Sequence, residues 1–368
     1  MERVADEVHA GFDLTRGPLL AAVLFTRDTG HRPYLLLVAH HLAVDAVSWR
    51  ILLDDLDTAY RQAARGSTVH LGQPTTAFAD WARRLAEHVA GGGLDGELAY
   101  WQAAGERLPL PVDHPVPEDS GRTLTVAGSA SVAGVADRAR TVSIEVDADD
   151  TGALLRNAPT AYRTRIGDVL LAALAWALSR WTGRERVDVA LEGHGREDIL
   201  DGVDLSRTVG WFTTIYPVTL EVPATGWRDL IRSVRRQLRA VPGNGFGYGA
   251  LRYLGGSEAH QGLAATPGPQ LVFNYLGQWD AEPAAEPDGL YHTVHSSLGR
   301  ESDPADRAEH LLEVVGAVDG GRLQFTWYYQ ADVHDEATVA VVAADFATAL
   351  RAIARDAAAA ATVPGRPA

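Results

Sequence analysis

The chain has 368 residues, 46% of them hydrophobic and 22% charged, which is the composition of an ordinary globular protein and excludes collagen and coiled coils. Its length predicts about two domains or lobes of roughly 150 residues each. The net charge of −15 opposes general binding to nucleic acid or to an anionic membrane. The longest apolar stretch, residues 169–179, is shorter than the ~20 residues that a bilayer requires, and the acidic N-terminus is unlike a secretory signal. We therefore expect a cytoplasmic location.

Two residue types are missing from the chain. It contains no cysteine, and all 33 of its basic residues are arginine. Without lysine there is no Schiff base to pyridoxal phosphate and no Walker A phosphate-binding loop. Without cysteine there is no thiolate nucleophile, no disulfide and no sulfur-ligated zinc. Catalysis must therefore rely on His, Asp, Glu, Ser, Thr, Tyr and backbone amides.

The first 106 residues are predicted to form an N-terminal lobe of strands and helices. Two short apolar runs separated by a turn-like segment predict a hairpin, and apolar residues at helical spacing predict the helices that follow. The strands cover residues 19–26 and 34–39, and the helices cover residues 47–64, 77–89 and 94–103. Residues 107–121 are rich in proline and acidic residues, and we expect them to link this lobe to the next.

Residues 122–357 are predicted to form a C-terminal lobe, and residues 358–368 a disordered tail. Helices are expected at residues 166–181, closed by Gly183, at 227–239 and at 335–357. Strands are expected at residues 123–132, 141–146, 187–191, 209–222, 270–276, 310–318 and 323–330, with a glycine-rich loop at 242–249. This mixture of strands and helices predicts an α/β (α+β) fold with two lobes.

The first candidate site is the pair His40 and His41 followed by Asp45, at the junction between a predicted strand and a predicted helix. Adjacent residues of a strand point to opposite faces, so one of the two histidines is expected to face a given cleft. Imidazole titrates near neutrality, as a general base requires. The alternative is that each histidine is a packed or surface residue and that Asp45 caps the following helix.

The second candidate site is EGHGRE, residues 192–197, where a predicted strand stops. Its two glycines leave room for backbone or ligand to approach closely. One alternative is a turn held by an ion pair between Arg196 and an acid. Another is a metal site, which is disfavoured because the segment has neither an H-E-x-x-H motif nor a second pair of ligands at useful spacing.

Both candidate sites belong to a series of six motifs that resembles, in order, the motif series of epimerization domains of nonribosomal peptide synthetases. The six motifs are HHLAVDAVSW (40–49), RTRIGDVLLAALAWAL (163–178), EGHGRE (192–197), RTVGWFTTIYP (207–217), PGNGFGYG (242–249) and FNYLGQ (273–278). Such domains are members of the condensation-domain superfamily. The resemblance implies a fold similar to chloramphenicol acetyltransferase, in which two lobes, each a sheet with helices, meet in a V around a tunnel.

The resemblance also implies roles for the residues of the candidate sites. His41 matches the catalytic histidine of the superfamily, with His40 beside it, and Glu192 matches the acid of the EGHGRE motif. Asp45 would be structural and paired with an arginine that the sequence does not identify. Ala46 stands where the superfamily has a glycine.

The later motifs carry further expectations. Asn274 and Tyr275 would orient the thioester or its enolate, or else serve as a strand-end asparagine and a half-buried tyrosine. Trp211 and Phe212 are expected to be core or tunnel-wall aromatics, because large rings usually serve burial. The segment 242–249 lacks a lysine and does not follow a strand, so it is interpreted as a mobile tunnel or docking loop and not as a nucleotide-binding loop.

The implied function is epimerization at the α-carbon of an aminoacyl or peptidyl thioester. Inversion needs a base on one face of the carbon and an acid on the other, and His41 and Glu192 would supply both with no bound cofactor and no metal. The sequence leaves open which of the two removes the L proton. The substrate would be held on the phosphopantetheine arm of a peptidyl carrier protein, and adenylation and condensation domains would be neighbours.

Two other functions are compatible with parts of the pattern. A condensation domain would form a peptide bond between two carrier-bound thioesters with the same histidine motif. Acyl transfer needs no second acid at EGHGRE, however, and FNYLG also favours epimerization. A non-catalytic docking module of the same fold would be expected to lack the histidine pair, which is intact here.

The start of the N-terminal lobe differs from the pattern that the resemblance implies. Only ten residues precede GFDLTRGPLL (11–20), where the family has an opening strand and helices. Those elements would pack on the sheet that presents His41. We therefore expect apolar surface and a strand edge to be uncovered there.

Overall fold

The computed structural model describes residues 1–27, 31–103, 107, 109–116, 139–224, 226–256, 258–278, 290–291, 298–300 and 310–361. At residues 258–260, 264 and 361 it describes the backbone alone. The predicted strand 123–132, residues 117–121 of the predicted linker and residues 362–368 of the predicted tail lie outside the described residues.

The chain opens with a helix and a two-stranded hairpin. The helix, α1 (Glu2–His9), was not predicted from the sequence. The strands β1 (Leu20–Phe25) and β2 (Tyr34–Ala39) pair antiparallel, as predicted. A short turn of 3-10 helix, His41–Ala43, follows β2. The first candidate site therefore lies directly after the hairpin.

One face of this hairpin is open to solvent. Leu20, Leu24 and Leu35 are 49%, 59% and 43% exposed. Leu24 is paired with Leu35 across the two strands, and Leu20 lies four positions before Leu24, so the three side chains share one face. These three leucines form an exposed apolar surface on the hairpin that leads to His41.

Three helices follow the hairpin and confirm the prediction for this region: α2 (Ala46–Ala64), α3 (Phe78–Ala90) and α4 (Leu98–Gln102). Trp81 of α3 and Trp101 of α4 are buried in the same core as the large sheet described next. The ring of Trp81 lies 4.7 Å from that of Phe212, centroid to centroid, and the ring of Trp101 lies 5.2 Å from that of Tyr248. These helices thus pack onto the second half of the chain.

A six-stranded sheet dominates the second half, with strand order β3-β8-β7-β6-β4-β5. Its strands are β3 (Ala139–Val146), β4 (Arg186–Gly193), β5 (Thr214–Glu221), β6 (Leu271–Gln278), β7 (Leu312–Asp319) and β8 (Arg322–Gln330). β6 pairs parallel with both β4 and β7, and the other neighbours are antiparallel. The predicted mixture of strands and helices, with two separate sheets, is confirmed.

The helices of this half are α5 (Ala148–Gly152), α6 (Ala158–Tyr162), α7 (Ile166–Thr182), α8 (Trp227–Arg239), α9 (Phe246–Leu254), α10 (Glu258–Ala265) and α11 (Glu336–Ala361). A segment of π-helix, Ala153–Asn157, joins α5 to α6. α7 is almost wholly buried and ends at Gly183, whose φ of 67° is the left-handed conformation that stops a helix. α11 is long and apolar enough to cross a bilayer, but half of its apolar window is buried, and Phe346 packs on Phe325 of β8 at 4.8 Å between ring centroids.

Three predictions from the sequence are corrected by the structure. The glycine-rich segment 242–249 is not the predicted mobile loop but a tight turn, Pro242–Gly245, followed by α9, in which Phe246 and Tyr248 are buried. The extended segment 209–222 becomes a strand only at Thr214. The last helix runs to Ala361, four residues into the predicted tail.

Candidate active site

The two adjacent histidines are placed differently. His40 ends the extended backbone of β2, and its Nδ1 accepts a hydrogen bond of 3.2 Å from the backbone N–H of Leu42. Its ring also meets the edge of Phe12. His40 therefore caps the short turn that carries His41, and its ring nitrogen serves the backbone.

His41 packs against Trp211. The ring centroids are 4.6 Å apart and the planes are inclined by 54°. Nδ1 of His41 and Nε1 of Trp211 are both buried, and neither has a hydrogen-bond partner among the described residues. A histidine in proton transfer is usually oriented by a hydrogen bond to its second ring nitrogen, whereas the contact seen here is the packing of the indole on the imidazole. Trp211, expected to be a wall or core aromatic, contacts the candidate catalytic residue.

Asp45 caps the helix that follows the histidines, as its alternative interpretation predicts. Its Oδ1 accepts a hydrogen bond of 2.6 Å from the backbone N–H of Ser48, and its Oδ2 accepts one of 3.1 Å from the backbone N–H of Phe212. Only 2% of its side chain is exposed. Ala46 is the first residue of α2, where the backbone is helical, so a methyl group fits in place of the usual glycine.

The arginine that pairs with Asp45 is Arg196, in the EGHGRE motif. Its Nη2 lies 3.2 Å from Oδ1 of Asp45 and 3.0 Å from Oγ of Ser48. Its Nη1 donates to the carbonyl oxygens of Leu205 and Thr208, at 2.8 and 2.7 Å. Only 9% of the arginine side chain is exposed. The ion pair joins the segment that carries the histidines to the segment that carries Glu192.

Further contacts fasten residues 207–213 to both of these segments. Oγ of Ser48 donates to the carbonyl oxygen of Gly210 at 2.8 Å and accepts from its N–H at 3.0 Å. Gly195 has a φ of 67°, and a Cβ atom there would lie 1.5 Å from the carbonyl oxygen of Phe212. Only glycine therefore allows this approach, which holds Trp211 next to His41.

Glu192 lies near the end of β4 and is held by a residue of the neighbouring strand. β4 and β6 pair parallel, with Leu191 opposite Phe273, so the residues that follow, Glu192 and Asn274, share a face. Nδ2 of Asn274 donates to Oε2 of Glu192 at 2.6 Å. Tyr275 points to the opposite face and packs on the core, where burial raises the pKa of its hydroxyl. The structure thus brings Asn274 to Glu192 and separates Tyr275 from it.

Two residues were not singled out from the sequence: Glu197, the last residue of the EGHGRE segment, and Asn244. Glu197 lies 3.3 Å from Nε2 of His194, whose Nδ1 accepts from the backbone N–H of Arg196. Oε2 of Glu197 accepts a hydrogen bond of 3.0 Å from Nδ2 of Asn244. Asn244 has a φ of 50°, a conformation that asparagine tolerates better than most residues. The sequence feature that could have predicted this contact is the asparagine between two glycines in PGNGFGYG.

Together these contacts place an imidazole and a carboxylate on two joined segments. His41 lies four positions before Asp45, and Glu192 lies four positions before Arg196. Both side chains are half-buried. Among the described residues, no three His, Asp or Glu side chains are grouped so that they could hold a metal ion. An imidazole and a carboxylate are both side chains that can accept and donate a proton.

The chain matches known proteins in three ways: through a family model, through related sequences and through a solved structure. The sequence model of the condensation domain matches residues 1–362. The chain is similar to a linear gramicidin synthase protein of Brevibacillus parabrevis, with 42% identity over 356 residues, which are 96% of this chain and 4% of that protein. It is also similar to tyrocidine synthase 1 of the same organism, with 32% identity over 362 residues, 96% of this chain and 32% of that protein.

The third comparison concerns solved structures. The chain is similar to the crystal structure of the epimerization domain from the third module of tyrocidine synthetase B, with a TM-score of 0.83 and 32% identity. The match covers 98% of this chain and 77% of that one. These findings confirm the resemblance carried by the six motifs. The chain spans less than a tenth of the linear gramicidin synthase protein and about a third of tyrocidine synthase 1.

Proposed function

Because the chain belongs to the condensation-domain family, we propose that it epimerizes the α-carbon of an aminoacyl or peptidyl thioester in nonribosomal peptide synthesis. The observation that carries this proposal is the 2.6 Å hydrogen bond between Asn274 and Glu192. It joins the EGHGRE and FNYLG motifs around a carboxylate, and acyl transfer by a condensation domain has no need of a second acid there. Similarity to an epimerization domain over nearly the whole chain supports the same function.

The reaction would proceed by two proton transfers. A base removes the α-proton and leaves the electron pair of the broken C–H bond in the thioester enolate. An acid on the opposite face then returns a proton to the carbon, which forms the new C–H bond with inverted configuration. His41 and Glu192 would exchange these roles when the reaction runs from D to L. After each turnover both groups regain their starting protonation state by exchange with solvent.

The surrounding residues would serve this proton transfer in two ways. The indole of Trp211 would hold the imidazole of His41 toward the substrate, and the amide of Asn274 would orient the carboxylate of Glu192. The buried Asp45–Arg196 pair would keep the two segments in register. The reacting groups must be placed accurately, because a misplacement of about 1 Å costs roughly 100-fold in reaction rate.

The substrate would arrive on the phosphopantetheine arm of a peptidyl carrier protein. We propose that adenylation and condensation domains of a synthetase are the neighbours, that the chain binds no cofactor of its own, and that it acts in the cytoplasm. The second candidate function is condensation, since the sequence model that matches residues 1–362 is that of the condensation domain.

An experiment in D₂O tests the proposal against this alternative. A carrier domain loaded with an L-aminoacyl thioester is incubated with the chain, and the released amino acid is analysed for its D/L ratio and for deuterium at the α-carbon. We expect deuterium in both enantiomers, with and without a chelator. A second aminoacyl carrier is then added. Formation of a dipeptide without α-deuteration would replace epimerization by condensation, and absence of both products would contradict the proposed function.

A further inference from the structure

Positive charge is concentrated on one helix of this acidic protein. Six exposed arginines on and beside α8 form what we call the arginine surface: Arg163, Arg165, Arg228, Arg232, Arg236 and Arg239. The four on α8 follow one another at intervals of four, four and three positions, so they share one face of the helix. The side chain of Arg235 donates to the carbonyl oxygen of Arg163, and this bond brings the preceding segment beside α8.

Burial of the opposite face does not explain why the exposed residues are arginines. α8 buries Leu230, Ile231 and Val234 in the core, and any polar residue would suit the solvent side. Like charges four positions apart repel on a helix, whereas alternating charges would stabilise it. Within the described part of the chain, Asp229 is the acid that pairs with this surface, 3.4 Å from Arg232, and that pair is exposed.

The positive charge on α8 contrasts with the negative net charge of the whole chain. The net charge is −15, so an anionic partner needs a local positive surface to be attracted to this molecule. A row of like charges that disfavours its own helix, in a protein with this net charge, indicates a binding surface for an anionic partner.

The position of α8 connects this surface to the candidate active site. Its 13 residues span about 20 Å, and its C-terminal end, at Arg239, leads through Val241 into the turn Pro242–Gly245. In that turn Asn244 donates to Glu197 at 3.0 Å. The backbone oxygen of Asn244 would also lie 3.7 Å from a Cβ atom built on Gly193, the residue next to Glu192. The segment that follows the arginine surface therefore reaches the end of β4, where the candidate acid lies.

We propose that the arginine surface binds an acidic face of the carrier domain that delivers the thioester. This inference rests on the proposed function, because that function requires the substrate to arrive attached to another protein domain. Charge complementarity would raise the rate of encounter and orient the carrier along α8. The end nearest Arg239 would place the attached thioester closest to Glu192.

The test measures binding of a fluorescently labelled carrier domain, in its phosphopantetheine-bearing form, from the synthetase to which this chain belongs. The variants are R232E/R236E/R239E, on the arginine surface, and R16E/R32E/R65E, which reverses three exposed arginines elsewhere and changes the net charge equally. At about 50 mM salt we expect the dissociation constant to rise at least about 10-fold for the first variant and by less than about two-fold for the control. At about 300 mM salt the difference should shrink, because ions screen exposed charges. Urea unfolding of each variant checks that it is folded.

Three outcomes would overturn the proposal: equal dissociation constants for the wild type and the first variant, equal losses in both variants, or arginine-dependent binding of anionic vesicles or RNA with carrier binding unchanged. Failure of the proposed function would look different. The aminoacyl thioester of free pantetheine contains no carrier, so its epimerization by the wild type and by R232E/R236E/R239E should be equal. If neither protein epimerizes any thioester while the binding difference stands, epimerization is refuted and the docking surface is retained.

Discussion

The guanidinium of Arg196 and the carboxylate of Asp45 form a buried ion pair, 3.2 Å apart, between residues 151 positions apart in the chain. Both residues of this pair have further partners. Asp45 also accepts two backbone N–H groups, and Arg196 also donates to two carbonyl oxygens and to Ser48. The phenyl ring of Phe212 lies 4.1 Å from the guanidinium carbon. All polar atoms of the pair except Nε of Arg196 therefore have the partners that a buried charge requires.

Removal of one partner should destabilise the protein strongly. We expect Asp45→Asn and Arg196→Gln each to lower the free energy of unfolding by about 3–5 kcal/mol, because each leaves a buried charge without its counterion. The double variant should lose less than the sum of the two single losses. Urea unfolding measures these values, and exposed Arg207→Gln is a control. Unchanged midpoints in both single variants would refute the structural role of the pair.

Loss of either candidate catalytic group should abolish most of the activity without unfolding the protein. We expect His41→Ala and Glu192→Gln each to lower the rate of epimerization by about 10²–10⁴-fold, the contribution of a general acid or base. The D/L ratio of amino acid released from a carrier thioester measures the rate. The exposed residues His70 and Glu185 supply matched controls, H70A and E185Q. If H41A and E192Q equilibrate the substrate at the wild-type rate, the assignment is wrong.

The two residues of the FNYLG motif should differ in their effect on rate. Asn274→Leu removes a hydrogen bond to a carboxylate, worth about 1.5–3 kcal/mol, so we expect the epimerization rate to fall by roughly 10- to 150-fold. Tyr275→Phe changes a side chain on the opposite face of the sheet and should leave the rate within about two-fold. Rate measurements at saturating carrier substrate decide this. A larger loss in Y275F than in N274L would show that the tyrosine, and not the amide, serves the reaction.

Trp211 should act through His41 and not by itself. We expect Trp211→Leu to lower the epimerization rate about 10-fold or more, because it removes the ring that restrains the imidazole, and Trp211→Phe to retain more of the rate. In the His41→Ala background the same Trp211→Leu substitution should cause no further loss. An additive loss in the double variant would mean that the indole serves something other than the histidine.

Stability should depend on pH through His310. Burial lowers the pKa of its imidazole from 6.5 to about 4. Between these two values the unfolded chain binds a proton that the folded chain does not, so the free energy of unfolding falls as the pH falls, by about 3 kcal/mol at pH 4. The variant His310→Asn has no imidazole at this position and therefore lacks this pH-dependent loss of stability. Urea unfolding from pH 7 to pH 4 should show the wild type losing more stability than H310N, and parallel curves would contradict the assignment.

The sequence predicted most of the fold because its patterns are local. The hairpin, the helix after Asp45, α7 with its glycine stop, and α8 are each encoded in a few consecutive residues, through alternation, helical spacing and capping. The glycine-rich segment was misjudged because two buried aromatic residues, Phe246 and Tyr248, override the local preference of their glycine neighbours.

The contacts of the candidate site were harder to predict because they join distant parts of the chain. Arg196 was visible inside EGHGRE, yet nothing in its spacing shows that it reaches Asp45. The approach of Asn274 to Glu192 depends on β4 and β6 being neighbours in a parallel sheet, across 82 positions of sequence. The contact between Trp211 and His41 follows only once the hydrogen bonds of Ser48 and the approach of Gly195 are known.

The supports of the two proposed catalytic groups differ in stiffness. Glu192 lies on a strand that is hydrogen-bonded to a neighbour on each side, and a slip of that strand by one residue would turn the carboxylate to the other face of the sheet. His41 stands on a three-residue turn after an isolated hairpin, with a ring held by packing. The candidate acid is therefore anchored as firmly as the sheet itself, while the candidate histidine has the local freedom of a turn.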